Sequence, residues 1–109
     1  MTKEIKKQQD ITLFEQQEVR KKWHKEKWHF SIIDVVSILS ESNNPRRYWS
    51  DLKKKLKEEG YSESYENIVQ LKLESSDGKK YLTDTTDLEG MFRIIQSIPS
   101  PKAEPFKQW

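Results

Sequence analysis

Basic side chains recur along residues 45–59 at the spacing of one helix face. At about 100° per residue, the predicted helix carries apolar side chains on one arc and basic side chains on the opposite arc. The apolar arc comprises Tyr48, Trp49, Leu52 and Leu56, and the basic arc comprises Arg46, Arg47, Ser50, Lys53, Lys54 and Lys57. Arginine binds phosphate through paired hydrogen bonds and lysine adds point charge, so the basic arc is suited to a polyanion. A merely solvated helix surface has the same composition, and the sequence leaves that alternative open.

A second basic segment runs from Arg20 to Lys27, with five basic side chains and one acidic. The candidate phosphate-contacting residues of this segment are Arg20, Lys21, Lys22, Lys25 and Lys27. A hairpin with Lys25 and Glu26 at its tip would place Trp23 opposite Trp28, and His24 and His29 on the other face. We interpret the two Trp side chains as a cross-strand core pair rather than as platforms for base stacking.

The residue types needed for catalysis or for a cofactor are missing or scattered. The chain has no Cys, which excludes thiolate metal sites, disulfides and cysteine nucleophiles. Its two His residues lack a third ligand nearby, no Ser lies in a nucleophile-elbow context, and its three Gly residues form no phosphate-binding loop. We therefore expect neither an enzyme nor a bound metal or cofactor.

The elements around the basic arc can be predicted from local signals. Ser31 is a suitable N-cap for a helix over Ile32–Ser40, where apolar side chains recur at helical spacing. Pro45 suits the first turn of the next helix, which should reach about Glu59 and stop at Gly60. Two consecutive helices joined by a short polar turn predict a helix–turn–helix-like unit.

The second half of the chain predicts another hairpin. In residues 67–73 apolar and polar side chains alternate, which is typical of a strand with one buried face. Residues 79–83 are predicted to form the antiparallel partner strand. Asp77 and Gly78 between them indicate a two-residue turn, which would place Leu73 opposite Leu82.

Two further helices are predicted at the C-terminal end. Thr86 and Glu89 have the spacing of a capping box that opens the third helix. The apolar stripe of that helix comprises Leu88, Met91, Phe92, Ile95 and Ile98. Pro99 ends it, and a fourth helix should start at Ser100–Pro101 or at Glu104–Pro105 and reach Trp109.

Length and composition fit one small folded domain. The chain has 109 residues, with 33% apolar and 35% charged side chains and a net charge of +2. The predicted fold class is α+β, a single domain with two β-hairpins and about four helices. Residues 1–10 are expected to form a flexible lead-in, and residues 11–109 a domain truncated at its C-terminal end. Without a secretory signal or a long apolar run, the protein is expected to be cytoplasmic and not to contact a membrane.

Two sequence blocks resemble a known family. The blocks NPRRYWSDLK, residues 44–53, and RIIQSIPSPKAEPFKQW, residues 93–109, are similar to the prophage antirepressor branch of the BRO-N domain. The resemblance covers roughly residues 13–109. BRO-N domains occur in baculovirus repeated-ORF proteins, phage antirepressors and the DNA-damage-inducible protein D group.

The resemblance implies a function for the chain. It implies the non-catalytic DNA-binding module of a prophage antirepressor-type regulator, with duplex DNA as its partner. The alternative is a protein-interaction module that binds a repressor or another regulatory partner. A separate C-terminal region usually follows this module, and the protein could form a homo-oligomer through that region.

Overall fold

The computed structural model describes residues 11–14, 17–60 and 67–103. These residues form the elements β1 (Ile11–Phe14), β2 (Gln17–His24), β3 (Lys27–Ser31), α1 (Ile32–Ser40), α2 (Pro45–Glu58), β4 (Val69–Glu74), β5 (Lys80–Thr86) and α3 (Leu88–Gln96). The predicted α+β fold with two hairpins is confirmed. The described residues contain three helices rather than about four. In the region of the predicted fourth helix, residues 101–103 form a turn, and residues 104–109, like the predicted lead-in 1–10, lie outside the described residues.

The strands form one sheet in the order β1-β2-β3-β5-β4, in which every neighbouring pair is antiparallel. The β2–β3 hairpin has the predicted tip and register, with Trp23 opposite Trp28. Its two turn residues, Lys25 and Glu26, both have positive φ, as a type I′ turn requires. Positive φ is uncommon for residues other than Gly and Asn, so these two residues are the usual signals for such a turn. Neither occurs at this tip, and the sequence therefore carries no clear turn signal here.

The β4–β5 hairpin differs from its predicted register by one residue. Leu73 lies opposite Tyr81 and not opposite Leu82. The loop has three residues, 76–78, because the backbone N–H of Ser75 donates to the carbonyl of Lys79 and closes it. Within the loop the backbone N–H of Gly78 donates to the carbonyl of Ser75, and Gly78 adopts a φ of +83°. A type I turn followed by a left-handed Gly is the usual three-residue hairpin loop. The shift moves Leu82 to the opposite face, where its side chain is 62% exposed.

The three helices bury their apolar faces in a single core. The core cluster contains Val19, Ile32, Val35, Val36, Ile38, Leu39, Trp49, Leu52, Leu56, Met91, Ile94, Ile95, Ile98 and Ala103. The predicted apolar faces of α1 and α2 are confirmed by this cluster. The predicted stripe of α3 is partly wrong, because Leu88 is 57% exposed and Ile94 is fully buried instead.

Helix α3 begins one residue later than the capping box predicts. The carboxylate of Asp87 accepts from the backbone N–H of Gly90 at 2.9 Å, so Asp87 is the N-cap. Thr86 still belongs to β5, where it lies opposite Phe30. Its hydroxyl is buried and has no hydrogen-bond partner among the described residues. Thr86 is therefore a strand residue and not the N-cap of α3, and the predicted capping box is wrong.

The Thr86 hydroxyl packs against Gly90, and this contact predicts the effect of a substitution. A Cβ at Gly90 would overlap that hydroxyl and lie 3.2 Å from the Thr86 Cβ. We expect Gly90→Ala to lower the free energy of unfolding by about 1–2 kcal/mol, although Ala normally favours a helix over Gly by about 1 kcal/mol. In the Thr86→Ala background, which removes the hydroxyl but keeps the Cβ, the same change should be less destabilising, and urea unfolding of the four proteins measures the coupling. A stabilising Gly90→Ala in the wild-type background would contradict the close contact.

Candidate nucleic-acid interface

Helix α2 is fixed at both ends and along one side. Asn44 caps it by accepting from the backbone N–H of Arg47 at 3.2 Å, and Pro45 occupies the first turn. The helix ends at Glu58, and Gly60 follows with a φ of +81°. The buried side contributes Trp49, Leu52 and Leu56 to the core. The opposite side of α2 therefore faces solvent in a defined orientation.

The solvent side of α2 carries a set of basic side chains that we call the basic face. The basic face consists of Arg46, Arg47, Lys54 and Lys57, all of them exposed. Among the described residues, Arg46, Arg47 and Lys54 form no ion pair with a carboxylate. Arg46 and Arg47 also lie in the first turn, where the positive end of the helix dipole favours an anion. The predicted basic arc is thus present on the surface, except for one member.

That exception is Lys53, which the structure places at the edge of the arc and not in open solvent. Its side chain is 33% exposed, and its Nζ lies 2.9 Å from a carboxylate oxygen of Asp84 in β5. The same oxygen accepts from Nε1 of Trp49 at 2.9 Å, and the other oxygen accepts from Nε2 of Gln70 at 3.2 Å. We call these four residues the Asp84 cluster. The cluster joins α2 to the β4–β5 hairpin, so Lys53 has a structural partner.

The surroundings of Asp84 favour its charged form. Burial alone would raise the pKa of this carboxyl. The hydrogen bonds from Trp49, Lys53 and Gln70, together with the positive charge of Lys53, outweigh burial and hold the pKa of Asp84 below its ordinary value. At neutral pH the cluster therefore contains a carboxylate whose charge and hydrogen bonds are both satisfied.

Arg20 also has a structural partner, although it belongs to the second predicted basic segment. Its guanidinium donates through Nε and Nη2 to the two carboxylate oxygens of Asp34, each at 2.9 Å, and its backbone N–H donates to the same carboxylate. Nη1 donates to the carbonyl of Glu74 in β4 at 3.1 Å. The hydrogen bond to Asp34 raises the pKa of Arg20 above its ordinary value, despite the opposing effect of burial. Arg20 thereby connects β2, α1 and β4.

The lysines of the β2–β3 hairpin do not form one surface. Lys21 lies over the ring of Trp28, with Nζ 4.3 Å from the centroid. Lys22 faces the opposite side of β2, and its Nζ donates to the carbonyl of Lys72 at 3.5 Å. Lys25 is exposed at the tip, and Lys27 pairs with Asp87 at 3.5 Å. Alternation along the strands divides these charges between two faces.

Both basic segments fall inside one family match. Residues 18–109 match the family model described as the BRO family, N-terminal domain. The chain belongs to this family. No curated protein and no solved structure matches the chain. The predicted resemblance to the BRO-N domain is therefore confirmed over residues 18–109.

The aromatic pair of this BRO N-terminal domain lies outside the core, contrary to the prediction. The rings of Trp23 and Trp28 form the predicted cross-strand pair, with an edge-to-face geometry and centroids 5.3 Å apart. Trp23 is 56% exposed, and neither ring belongs to the core cluster. The pair therefore stabilises the hairpin from its surface.

The two His residues form a second cross-strand pair on the other face, with ring centroids 5.4 Å apart. His29 is buried, and its Nδ1 lies 3.2 Å from the carbonyl of Lys27. Within the part of the chain that the structure describes, no group of three His, Cys, Asp or Glu side chains could hold a metal ion. Likewise, no helix in that part is long and apolar enough to cross a membrane.

A groove of about 780 Å³ lies beside the basic face, between the start of α2 and the β4–β5 hairpin. Arg46 and Trp49 line it from α2, and Leu82 and Asp84 line it from β5. Sequence reasoning missed the contribution of β4 and β5, because their basic residues lie outside the two basic segments of the sequence. The alternation of polar side chains at Gln70, Lys72 and Glu74 was the signal for a solvent-facing side of β4.

Proposed function

We propose that this BRO N-terminal domain binds duplex DNA through the basic face of α2, as the non-catalytic DNA-binding module of a prophage antirepressor-type regulator in the cytoplasm. The observation that carries the proposal is the arrangement of α2. Its apolar side is buried at Trp49, Leu52 and Leu56, while Arg46, Arg47, Lys54 and Lys57 are exposed on the other side. Family membership supports a regulatory DNA-binding type of domain.

The physical basis of binding is the rigid presentation of charge. Capping by Asn44, core packing and the Asp84 cluster hold α2 in one orientation. Phosphate contacts from a fixed helix need less ordering of the backbone than contacts from a flexible tail. Arginine and lysine on this face would contact phosphates and release counterions, which makes the affinity dependent on salt.

Charge reversal on the basic face tests the proposal. We expect the Arg46→Glu/Arg47→Glu double variant to fold, because Glu in the first turn interacts favourably with the helix dipole. Its affinity for duplex DNA should fall at least about tenfold. The slope of log affinity against log salt should become shallower by about 0.9 for each phosphate that the variant no longer neutralises. Fluorescence anisotropy with a labelled duplex at several salt concentrations measures both quantities.

The matched control lies on the same helix. Lys54→Glu removes a charge from the basic face, whereas Lys55→Glu makes the same change at the next residue, outside this face. Lys55 pairs with Glu59 at 3.9 Å in an exposed ion pair of little energetic value. Lys54→Glu should weaken binding more than Lys55→Glu does. Equal binding by the wild type and both basic-face variants would overturn the assignment of this face.

A protein partner is the second candidate function. Leu82 is 62% exposed and Tyr81 is 49% exposed, and both line the groove beside α2. Exposed apolar side chains in a groove favour a contact with a protein such as a repressor. A wild-type domain that does not bind duplex DNA at low salt would contradict the first proposal and favour this one.

A further inference from the structure

Four lysines from three strands line a second groove, of about 490 Å³. Lys21 and Lys22 come from β2, Lys72 from β4 and Lys80 from β5. We call this the lysine groove. Lys72 and Lys80 lie outside both basic segments of the sequence, and only the sheet brings them near Lys22. Lys22 Nζ donates to the backbone carbonyl of Lys72 at 3.5 Å, so β2 and β4 are close at this point.

The register of the β4–β5 hairpin relates the lysine groove to α2. On the solvent-facing side of the hairpin, Gln70 lies opposite Asp84, Lys72 opposite Leu82, and Glu74 opposite Lys80. The pair Gln70–Asp84 belongs to the Asp84 cluster, where α2 is attached. With a rise of about 3.4 Å per residue, the backbone of Lys72 is about 7 Å from that attachment point and the backbone of Lys80 about 14 Å. The lysines thus continue outward from α2 along one face of the hairpin.

Positive charge in the lysine groove exceeds the negative charge around it. Its lining includes Arg20, Lys22, Lys72 and Lys80 against two acids, Glu18 and Glu74; Lys21 also lines it, but its Nζ lies over the ring of Trp28 on the other side of β2. Arg20 is already paired with Asp34, and none of the four lysines forms an ion pair with a carboxylate of the described residues. Lysines that converge on a groove without paired acids produce a positive potential that attracts anions.

The lysine groove and the groove beside α2 are adjacent, because Arg20 and Ser75 line both. Arg46 of the basic face lines the groove beside α2. Basic side chains therefore occur from Arg46 of α2 to Lys72 and Lys80; of the two acids that line the groove beside α2, Asp84 is paired with Lys53 and Asp77 accepts from the Tyr81 hydroxyl. Resting on the proposed function, we propose that the lysine groove binds backbone phosphates of the same duplex that contacts the basic face of α2. The β4–β5 hairpin then forms a second part of the DNA interface.

The test is charge reversal of the two lysines that the hairpin contributes. Both Lys72 and Lys80 are exposed, and Lys22 contacts the backbone rather than the side chain of Lys72, so Lys72→Glu/Lys80→Glu should fold normally. We expect its affinity for a labelled duplex at low salt to fall about tenfold or more. The slope of log affinity against log salt should become shallower by about 1.8, the value for two phosphates that are no longer neutralised.

Lys79→Glu is the matched control, since Lys79 is exposed, precedes Lys80 in the chain and does not line the lysine groove. It should retain most of the wild-type affinity and slope. If Lys72→Glu/Lys80→Glu binds as Lys79→Glu does, while Arg46→Glu/Arg47→Glu is weakened, the lysine groove is not a DNA-binding surface and the proposed function stands. If the wild type does not bind duplex DNA at all, the proposed function fails, and this inference fails with it.

Discussion

Leu52→Ala should lower the free energy of unfolding by about 2–5 kcal/mol, the range for removing a large aliphatic side chain from a packed core. Leu52 is 7% exposed and lies on the buried side of α2, within the core cluster. The cost combines the lost burial of the side chain with the cavity that remains. Urea unfolding followed by circular dichroism gives the difference, provided that both proteins unfold in two states.

The control for this prediction lies on the opposite side of the same helix. Ser50 is exposed between the basic side chains, so Ser50→Ala should change stability by less than about 0.5 kcal/mol. A change of the same small size for Leu52→Ala would contradict the orientation of α2. Because that orientation determines which side chains face solvent, such a result would also remove the basis for the basic face.

The helices next to the candidate site were predictable because their signals are local. Ser31 caps α1 by accepting from the backbone N–H of Asp34, and α1 covers Ile32–Ser40 as predicted. Asn44 and Pro45 begin α2, and Gly60 follows its end. Caps and breakers act within one helical turn, so the sequence contains nearly all the information they need.

The register of the second hairpin was not predictable from its turn residues alone. Asp77 and Gly78 are compatible with a two-residue turn and also with the last positions of a three-residue loop. The choice depends on which face of each strand is buried. The observed loop places Leu71 and Leu73 on the buried face and leaves Leu82 exposed, an outcome that involves the whole sheet.

The carboxylate partners of the basic residues are the second feature that could not be predicted without the three-dimensional fold. Arg20 pairs with Asp34, Lys27 with Asp87 and Lys53 with Asp84, across separations of 14, 60 and 31 residues. A count of charges along the sequence gives each of these cations equal weight. Among the described residues, the fold gives carboxylate partners to Arg20, Lys27 and Lys53, and it brings Lys72 and Lys80 to the surface at the lysine groove.

Asp84→Asn is the second substitution with a large expected effect. The carboxylate of Asp84 accepts from Trp49 and Lys53, and its side chain is only 14% exposed. Asn keeps the shape but loses the charge, and it turns one of the two acceptor oxygens into a donor. We expect a loss of roughly 2–3 kcal/mol at neutral pH, below the full value for a buried ion pair because Lys53 is partly solvated. Asp51→Asn, at an exposed position of α2, should have little effect.

The effect of Asp84→Asn should depend on pH, because the folded state holds the pKa of Asp84 below its ordinary value. Above the unfolded pKa of about 3.9, the carboxylate is charged in both states and contributes its full stabilisation. As the pH falls below that value, the unfolded chain binds the proton first, and the contribution is lost as the pH passes through the lower folded pKa. Wild type and variant should therefore differ by a constant amount from about pH 8 to pH 5 and converge below about pH 4. Other carboxyl groups titrate alike in the two proteins, so the difference between their unfolding free energies isolates Asp84. A gap that stays constant down to pH 3 would show that the charge of Asp84 does not hold α2 against the hairpin, and that packing of Trp49 does so instead.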